Sequence, residues 1–240
     1  MRSNGPRVID KPTEPVSLLK RQTVTDLVEE HIAAKIMGGE YLGGHQIRQE
    51  AVAIELGVSR IPVREALLQL EARGLVVNRP HRGAVVADLS IDDAVELFEA
   101  RMLLEPFLIG KAMERLTESA IARAARVLVE YTAAVSNSAG PGELSRLNWE
   151  FHLALLAPAN SPRLIAFIQT LYNSADRYLR LQIRSQAAQA RALAEHKRLF
   201  GYFKAGDAAG ASKLLKKHIV DAADEIVAQL KRIMPDSGKA

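Results

Sequence analysis

Two arginines at helical spacing are the first residues in this chain that could do chemistry. Arg60 and Arg64 lie in the stretch GVSRIPVREALLQLEARG, beside an apolar stripe that runs from Val63 to Leu70. Residues one helical turn apart share a face of an α-helix. Each guanidinium can donate two parallel hydrogen bonds to a guanine edge or to a phosphate. The stretch therefore predicts a helix that packs by one side and binds DNA by its N-terminal part.

The residues around these arginines favour DNA over the simpler alternative. That alternative is a solvated arginine pair, or ion pairs with Glu55, Glu65 or Glu71. Ser59, however, stands where it can cap the helix and bind a phosphate through its hydroxyl. Pro62 is tolerated in the first turn, where backbone N–H groups have no helical partner. We therefore expect a recognition helix.

The elements around that helix predict a winged helix-turn-helix. Apolar residues repeat at helical spacing over about 16–37, and a short helix over about 48–56 precedes the arginine helix of about 59–73. β-Branched runs at Val76 and Val85 then flank a basic loop, which predicts a β-hairpin. We assign residues 16–88 to a DNA-binding domain.

A second candidate site consists of three histidines in the C-terminal half. His152, His196 and His218 each fall on an apolar stripe of a different predicted helix, and Asn148 precedes His152 by one turn. A single histidine of this kind is more often a hydrogen-bonded core residue than a ligand. Three of them with an amide oxygen favour a divalent metal, since imidazole suits Zn, Ni, Cu and Fe. Such a site would leave coordination positions open for an exchangeable ligand.

The half of the chain that carries these histidines is helical throughout. Short breaks containing glycine, proline and serine divide it, and six amphipathic helices with short loops predict an antiparallel bundle. We place this effector-binding and dimerisation domain at 89–234, between a flexible arm at 1–15, the DNA-binding domain and a tail at 235–240. The fold class is mostly α. The predicted helices span about 90–114, 117–136, 143–157, 162–186, 189–204 and 207–233.

Composition limits the other possibilities. The 240 residues include no cysteine, which excludes disulfides and thiolate metal sites, and the net charge of +4 favours polyanionic partners only mildly. No stretch reaches the roughly 20 apolar residues of a membrane span. The N-terminus lacks the apolar core of a signal peptide. We expect a cytoplasmic protein without a membrane partner.

The motifs of the first half resemble those of the GntR family of bacterial transcription regulators. The similarity rests on GEYLGGHQI, LGVSRIPVREALLQLEARGLV and HRGAVV. It implies that the recognition helix contacts the operator and that the wing tip enters the minor groove. Some members carry a DNA-contacting arginine where this chain has Glu50, so that contact is expected to be missing. The predicted DNA-binding residues are Arg48, Ser59, Arg60, Pro62, Arg64, His81, Arg82 and Gly83.

The second half is similar to the effector (FCD) domain of the FadR subfamily. In that subfamily Asp-x-x-x-His and two later histidines hold a divalent metal, which implies that His152, His196 and His218 are ligands. Asn148 stands in the place of the aspartate, and a neutral amide is a weaker ligand than a carboxylate. Three histidines and an oxygen are compatible with zinc, nickel and manganese, and of these we expect zinc.

The resemblance also implies an anion-binding group near the metal. Arg101 and Glu105 match an Arg-x-x-x-Glu motif whose arginine often faces the cavity, where it could hold a carboxylate in a bidentate manner. The alternative is a surface ion pair between these two residues. Tyr172, Asn173 and Arg177 are further candidates for effector binding.

The leading hypothesis is a homodimeric transcription repressor that binds palindromic operator DNA. A small organic acid bound near the metal would release it from that operator or retarget it there. One rival is a metal-dependent enzyme, with Glu150 or Glu195 as general base beside a ligand histidine. Residues so placed on a helix are expected to point away from the ligand face. A second rival is an effector-independent DNA-binding protein with a structural metal.

Overall fold

The structure is a computed structural model that describes residues 22–234. The expected flexible arm at 1–15, the beginning of the helix predicted from residue 16, and the tail at 235–240 lie outside the described residues. Within the described range the chain forms two hydrophobic cores, one in each half. No helix of residues 22–234 is both long and apolar enough to cross a membrane.

The first half is a winged helix-turn-helix, as predicted. Its elements are α1 (Val24–Gly38), α2 (Gln49–Leu56), α3 (Arg60–Ala72), β1 (Val76–Arg79) and β2 (Gly83–Val86). The two strands pair antiparallel, and Val76 lies opposite Val86. Buried side chains from all three helices and both strands meet in one core, including Ile32, Val52 and Leu70.

Local sequence signals set the ends of these helices. Thr23 and Asp26 form a reciprocal capping box at the start of α1. Gly57 ends α2 with φ of 65°, a left-handed conformation that a side chain would strain. That turn brings α3 across α2, and it fixes where the arginine-bearing end of α3 lies.

The second half is the predicted bundle of six long helices. They are α4 (Ile91–Met113), α5 (Glu118–Ser136), α6 (Pro141–Leu156), α7 (Pro162–Ile183), α8 (Gln186–Ala205) and α9 (Ala208–Ile233). Within the bundle the largest departures from the predicted bounds are at the turn between α7 and α8, where α7 ends three residues earlier than expected and α8 begins three residues earlier. Ser185 caps α8 there by accepting a bond from the amide of Ala188. The short turn leaves α7 and α8 close together at that end of the bundle.

The connection between the two halves is bonded to α7. Arg177 donates to the backbone carbonyls of Ala87 and Asp88 at 2.8 and 3.1 Å. The Tyr178 hydroxyl donates to the Asp93 carboxylate at 2.6 Å and accepts from the amide of Ser90 at 3.2 Å. These bonds hold the segment after the wing against the bundle.

Candidate DNA interface and metal centre

The outer side of α3 presents its two arginines to solvent. Arg60 and Arg64 are both exposed, and neither forms an ion pair within residues 22–234. The glutamates considered as their partners bond elsewhere: Glu55 to Lys35 at 2.7 Å, Glu65 to the Thr25 hydroxyl at 2.9 Å, and Glu71 to the amide of Asn78 at 3.2 Å. The ion-pair alternative is therefore not adopted, and both guanidinium groups are free to bind an anion.

An open groove collects basic side chains from three elements. Arg48 before α2, Arg60 at the start of α3 and Arg82 in the wing line it together. Gln46 donates to the backbone carbonyl of Arg82 at 2.5 Å, which holds the wing tip next to the helices. Glu50 lines the same groove, so one carboxylate lies among the arginines. The groove therefore gathers three arginines on one open surface, and such positive charge attracts phosphate groups.

The remaining predicted DNA residues flank this groove. Arg64 lines an adjoining groove between α3 and the wing, where Gly83 also lies. His81 and Gly83 turn the wing with φ of 62° and 67°. Ser59 has the N-cap backbone conformation, but its side chain makes no capping bond. Its exposed hydroxyl therefore remains available to a ligand. Pro62 is partly buried in the first turn of α3.

The three predicted histidines meet in the middle of the bundle. His152 from α6, His196 from α8 and His218 from α9 are all buried, and one ring nitrogen from each lies within 4.8 Å of the others. Their ring centroids are 5.0 to 5.5 Å apart. This spacing brings three imidazoles around one point, although they are far apart in sequence.

Two buried carboxylates orient two of these rings. Glu105 accepts from Nδ1 of His152 at 2.8 Å, and Glu195 accepts from Nδ1 of His218 at 2.6 Å. A proton on Nδ1 leaves the lone pair on Nε2, which is the tautomer required when Nε2 binds a metal. Carboxylates of this kind also raise the basicity of the ligand.

The cluster fits a divalent cation by its unsatisfied atoms. Nε2 of His152 and both ring nitrogens of His196 are buried without a hydrogen-bond partner among the described residues. Burial lowers the pKa of His152 to about 4, although Glu105 opposes that shift. Burial and the two neighbouring histidines hold the pKa of His196 well below its usual value. Neutral imidazoles with free lone pairs are the form that binds metal.

The position of Glu195 corrects one sequence-based expectation. We expected it to point away from the ligand face because it precedes His196 directly. It forms no hydrogen bond with His196 and instead accepts one from His218 on the neighbouring helix α9. Glu150, expected to point away as well, is at the surface and bonds Arg146 at 2.5 Å. Helical periodicity shows that Glu195 does not share a face with the histidine beside it on the same helix. It does not show which residue of a neighbouring helix Glu195 contacts.

Arg101 forms the ion pair with Glu105 that was considered for it, and it also lies inside the bundle, where the effector cavity was expected. It is 2% exposed, and its Nε donates to Glu105 at 2.7 Å, so the predicted pair forms inside the bundle instead of on its surface. Nη2 donates to the Tyr172 hydroxyl at 2.5 Å, and Nη1 has no partner within the described chain. Burial would raise the pKa of Glu105, but Arg101 and His152 outweigh it and lower that pKa to about 2. Arg101, Glu105 and His152 thus form one continuous network.

A narrow cavity lies beside this network. Arg101, Asn148 and His218 line it together with Tyr131 and Gln182. Asn148 is 6% exposed and faces the same space as His218. The cavity therefore adjoins both the histidines and the guanidinium that sequence reasoning assigned to an anion.

Two residues assigned to the effector pocket lie elsewhere. Asn173 accepts a bond from Gln169 at 2.9 Å and lines a shallow depression on the outside of the bundle. Arg177 bonds the segment after the wing. Each residue rotates about 100° around a helix, so positions one and five after the buried Tyr172 face away from the cavity. Only Tyr172 of these three is part of the network.

The fold and the two sites define a class of protein: a two-domain, helix-turn-helix DNA-binding regulator. Residues 25–86 match the model of the bacterial regulatory proteins of the gntR family, and residues 96–221 match that of the FCD domain. The chain belongs to the GntR family and carries an FCD domain. This class is not one of enzymes, which removes the support for the catalytic rival.

Similar proteins are also named as transcription regulators. An uncharacterized HTH-type regulator of Mycobacterium tuberculosis is 30% identical over 148 residues, which are 62% of this chain and 59% of that protein. The chain thus spans less than two thirds of that relative. The HTH-type transcriptional repressor GlaR of Escherichia coli is 26% identical over 192 residues, or 77% of this chain and 87% of GlaR.

Solved structures share the fold. E. coli McbR/YncC superposes with a TM-score of 0.72 over 86% of this chain and 98% of that one, at 23% identity. A GntR family member from Pseudomonas syringae is 30% identical and covers 87% of this chain and 88% of its own, with a TM-score of 0.50.

Proposed function

We propose that this chain is a transcription regulator that binds operator DNA through α3 and the wing. The observation that carries the proposal is the convergence of unpaired, exposed arginines from α3 and the wing on one groove. In helix-turn-helix proteins the N-terminal part of the second helix enters the major groove. Arg60 and Arg64 occupy that part of α3, and Arg82 extends the contact to the neighbouring backbone. Because bacterial operator DNA lies in the cytoplasm, we propose that the chain acts there.

Substituting these arginines is expected to weaken DNA binding strongly. Arg60→Ala and Arg64→Ala should each reduce affinity about tenfold to a hundredfold, because a good arginine contact to a base contributes about 1–3 kcal/mol. Fluorescence anisotropy with duplexes selected by the wild-type protein from a randomised library measures this. Arg163→Ala is the matched control, since Arg163 is equally exposed but lies at the start of α7. Equal losses in all three variants would contradict a specific interface.

We also propose that the three histidines hold a divalent metal, with zinc the first candidate. His152, His196 and His218 supply nitrogens, and Asn148, which lines the adjoining cavity, supplies an amide oxygen. A bound cation would accept the lone pair of Nε2 of His152 and that of one ring nitrogen of His196, and it would leave a position open to an anionic ligand. Zinc is favoured over harder cations because the donors are mainly imidazoles.

Metal binding is expected to depend on both the histidines and their carboxylate partners. His196→Ala should abolish the binding of one zinc ion per chain, while Glu195→Gln should weaken it about tenfold to a hundredfold by releasing the His218 ring. Elemental analysis after dialysis gives the stoichiometry, and competition with a chelating dye gives the affinity. His45→Ala is the control, because His45 is exposed in the DNA-binding half. Unchanged zinc content in His196→Ala would refute the site.

The effector that we propose is a small carboxylate bound beside the metal. Nη1 of Arg101 is buried without a partner among residues 22–234 and can donate to such an anion. We further propose a homodimer of the FadR type, in which two winged domains bind a palindrome and the effector alters their spacing. Operator affinity measured with and without small organic acids tests this switch. Identical affinity throughout, with zinc held until unfolding, would favour a structural metal.

A further inference from the structure

The side of the recognition helix α3 that faces away from the domain core carries exposed apolar residues. Ile61 is 70% exposed, whereas the packing stripe from Val63 to Leu70 contains residues that are at most 5% exposed. Successive residues rotate about 100° around a helix, so Ile61 lies roughly opposite the centre of that stripe. Its side chain therefore projects directly away from the core of the domain.

Ile61 also lies in the N-terminal part of α3, which is the part of a recognition helix that contacts bases. It is the second residue of α3, between the two exposed arginines Arg60 and Arg64. Leu68 is 56% exposed on nearly the same line, but it lies seven residues further along. At about 1.5 Å per residue this is about 10 Å towards the C-terminus of the helix. Only Ile61 belongs to the part that enters a major groove.

The chemistry of the side chain restricts what it can recognise. Isoleucine has no donor or acceptor, so it cannot read the polar edges of guanine, cytosine or adenine. The apolar group that the major groove offers is the C5 methyl of thymine. A single exposed apolar residue is unremarkable on most surfaces. Here, however, it directly follows Arg60 and lies about 60° around the helix from Arg64, and these two arginines would bring it against base edges.

We propose that Ile61 reads the methyl group of a thymine next to the positions gripped by Arg60 and Arg64. This inference rests on the proposed DNA-binding function. Burying one methyl group between DNA and the side chain stabilises the complex by about as much as burying one CH2 group, which corresponds to about a fourfold change in affinity.

The test combines one change in the protein with one change in the DNA. The wild-type chain of 240 residues is used to select duplexes from a randomised library, and each thymine of the enriched site is replaced in turn by deoxyuridine, which lacks only the methyl. At one position the wild type should lose affinity about fourfold. Ile61→Val should keep that discrimination, and Ile61→Thr, which has the shape of the valine variant but a hydroxyl in place of one methyl, should lose most of it. Leu68→Thr is the matched control and should discriminate as the wild type does.

The outcomes separate this inference from the function on which it rests. If the wild type enriches no sequence, the proposed DNA-binding function fails and Ile61 has nothing to read. If a site is enriched but no thymine methyl matters, or if Ile61→Thr discriminates as the wild type does, the inference alone is overturned. A loss of discrimination in Leu68→Thr equal to that in Ile61→Thr would also overturn it.

Discussion

Replacing Glu105 by glutamine is expected to lower the free energy of unfolding by about 3–5 kcal/mol, the usual cost of removing one partner from a buried ion pair. Arg101 is 2% exposed, and Glu105 is the carboxylate that pairs with it. The glutamine would preserve the shape of the side chain but leave the guanidinium charge buried without a counter-charge. Urea unfolding of the metal-free protein, followed by circular dichroism, measures the change.

A matched pair at the surface isolates the contribution of burial. Arg146 and Glu150 have the same spacing on α6, but their side chains are 55% and 37% exposed. Glu150→Gln should change the free energy of unfolding by less than about 0.5 kcal/mol, since water and salt screen such pairs. Equal effects at both sites would show that burial of the Arg101–Glu105 pair has no special cost.

A double variant separates the charge from the packing. Arg101→Met together with Glu105→Gln leaves no charge buried at this place, so part of the lost stability should return. The recovery should be incomplete because the Tyr172 hydroxyl loses its contact with Arg101. If the double variant is as unstable as the two single changes added together, an unpaired charge is not the cause of the loss.

Helical periodicity made the histidine cluster predictable from the sequence. An apolar stripe marks the side of a helix that faces the core, so a histidine on each of three stripes had to lie inside the bundle. The same argument placed Val63 and Leu70 in the core and left Arg60 and Arg64 outside. In both cases the burial or exposure of a residue depends only on which side of its own helix it occupies.

The carboxylates of the site could not be predicted in that way. Glu195 bonds His218 because α8 and α9 pack with a particular rotation and offset. Glu105 similarly reaches from α4 to His152 on α6. Those relations are set by side-chain packing across the whole bundle, which no single helix encodes. A usable signal was nevertheless present, since Glu105 lies within the apolar stripe that includes Phe98 and Leu108.

Arg177 illustrates a different limit. The family resemblance suggested it for the effector pocket, but a resemblance does not fix which side of the helix a residue occupies in this chain. The residue instead bonds the segment that follows the wing. Because α7 carries both Tyr172 in the buried network and Arg177 at that segment, one rigid helix spans the distance between the two proposed functions of the chain.

The metal-free protein is expected to lose stability as the pH falls from about 6.5 to 4. The folded-state pKa of His152 is lowered to about 4 from 6.5, chiefly by burial, and burial also holds the pKa of His196 well below its usual value. In this interval the unfolded chain binds protons that the folded chain does not. Each such histidine can therefore lower the free energy of unfolding by up to about 1.4 kcal/mol per pH unit.

Glu105 acts in a separate and more acidic interval. Its folded-state pKa is about 2 instead of 4.5, so its stabilising contribution is complete above about 4.5 and is lost as the pH falls towards 2. Between pH 6.5 and 5 the buried histidines are therefore the main source of the dependence within this network. That interval is the one in which to look for their effect.

Replacing His196 by phenylalanine should make the dependence in that interval shallower. The His196 ring lies between the rings of Tyr131 and Phe151, with centroid distances of 4.9 and 4.6 Å, and its nitrogens bond nothing in the described chain. An apolar ring fits such surroundings and has no proton to gain on unfolding. Urea unfolding at pH 7 and pH 5, with chelator present, should show a smaller difference for His196→Phe than for the wild type. The exposed His81→Gln serves as control, and parallel losses in all three proteins would mean that the buried imidazoles do not govern acid stability.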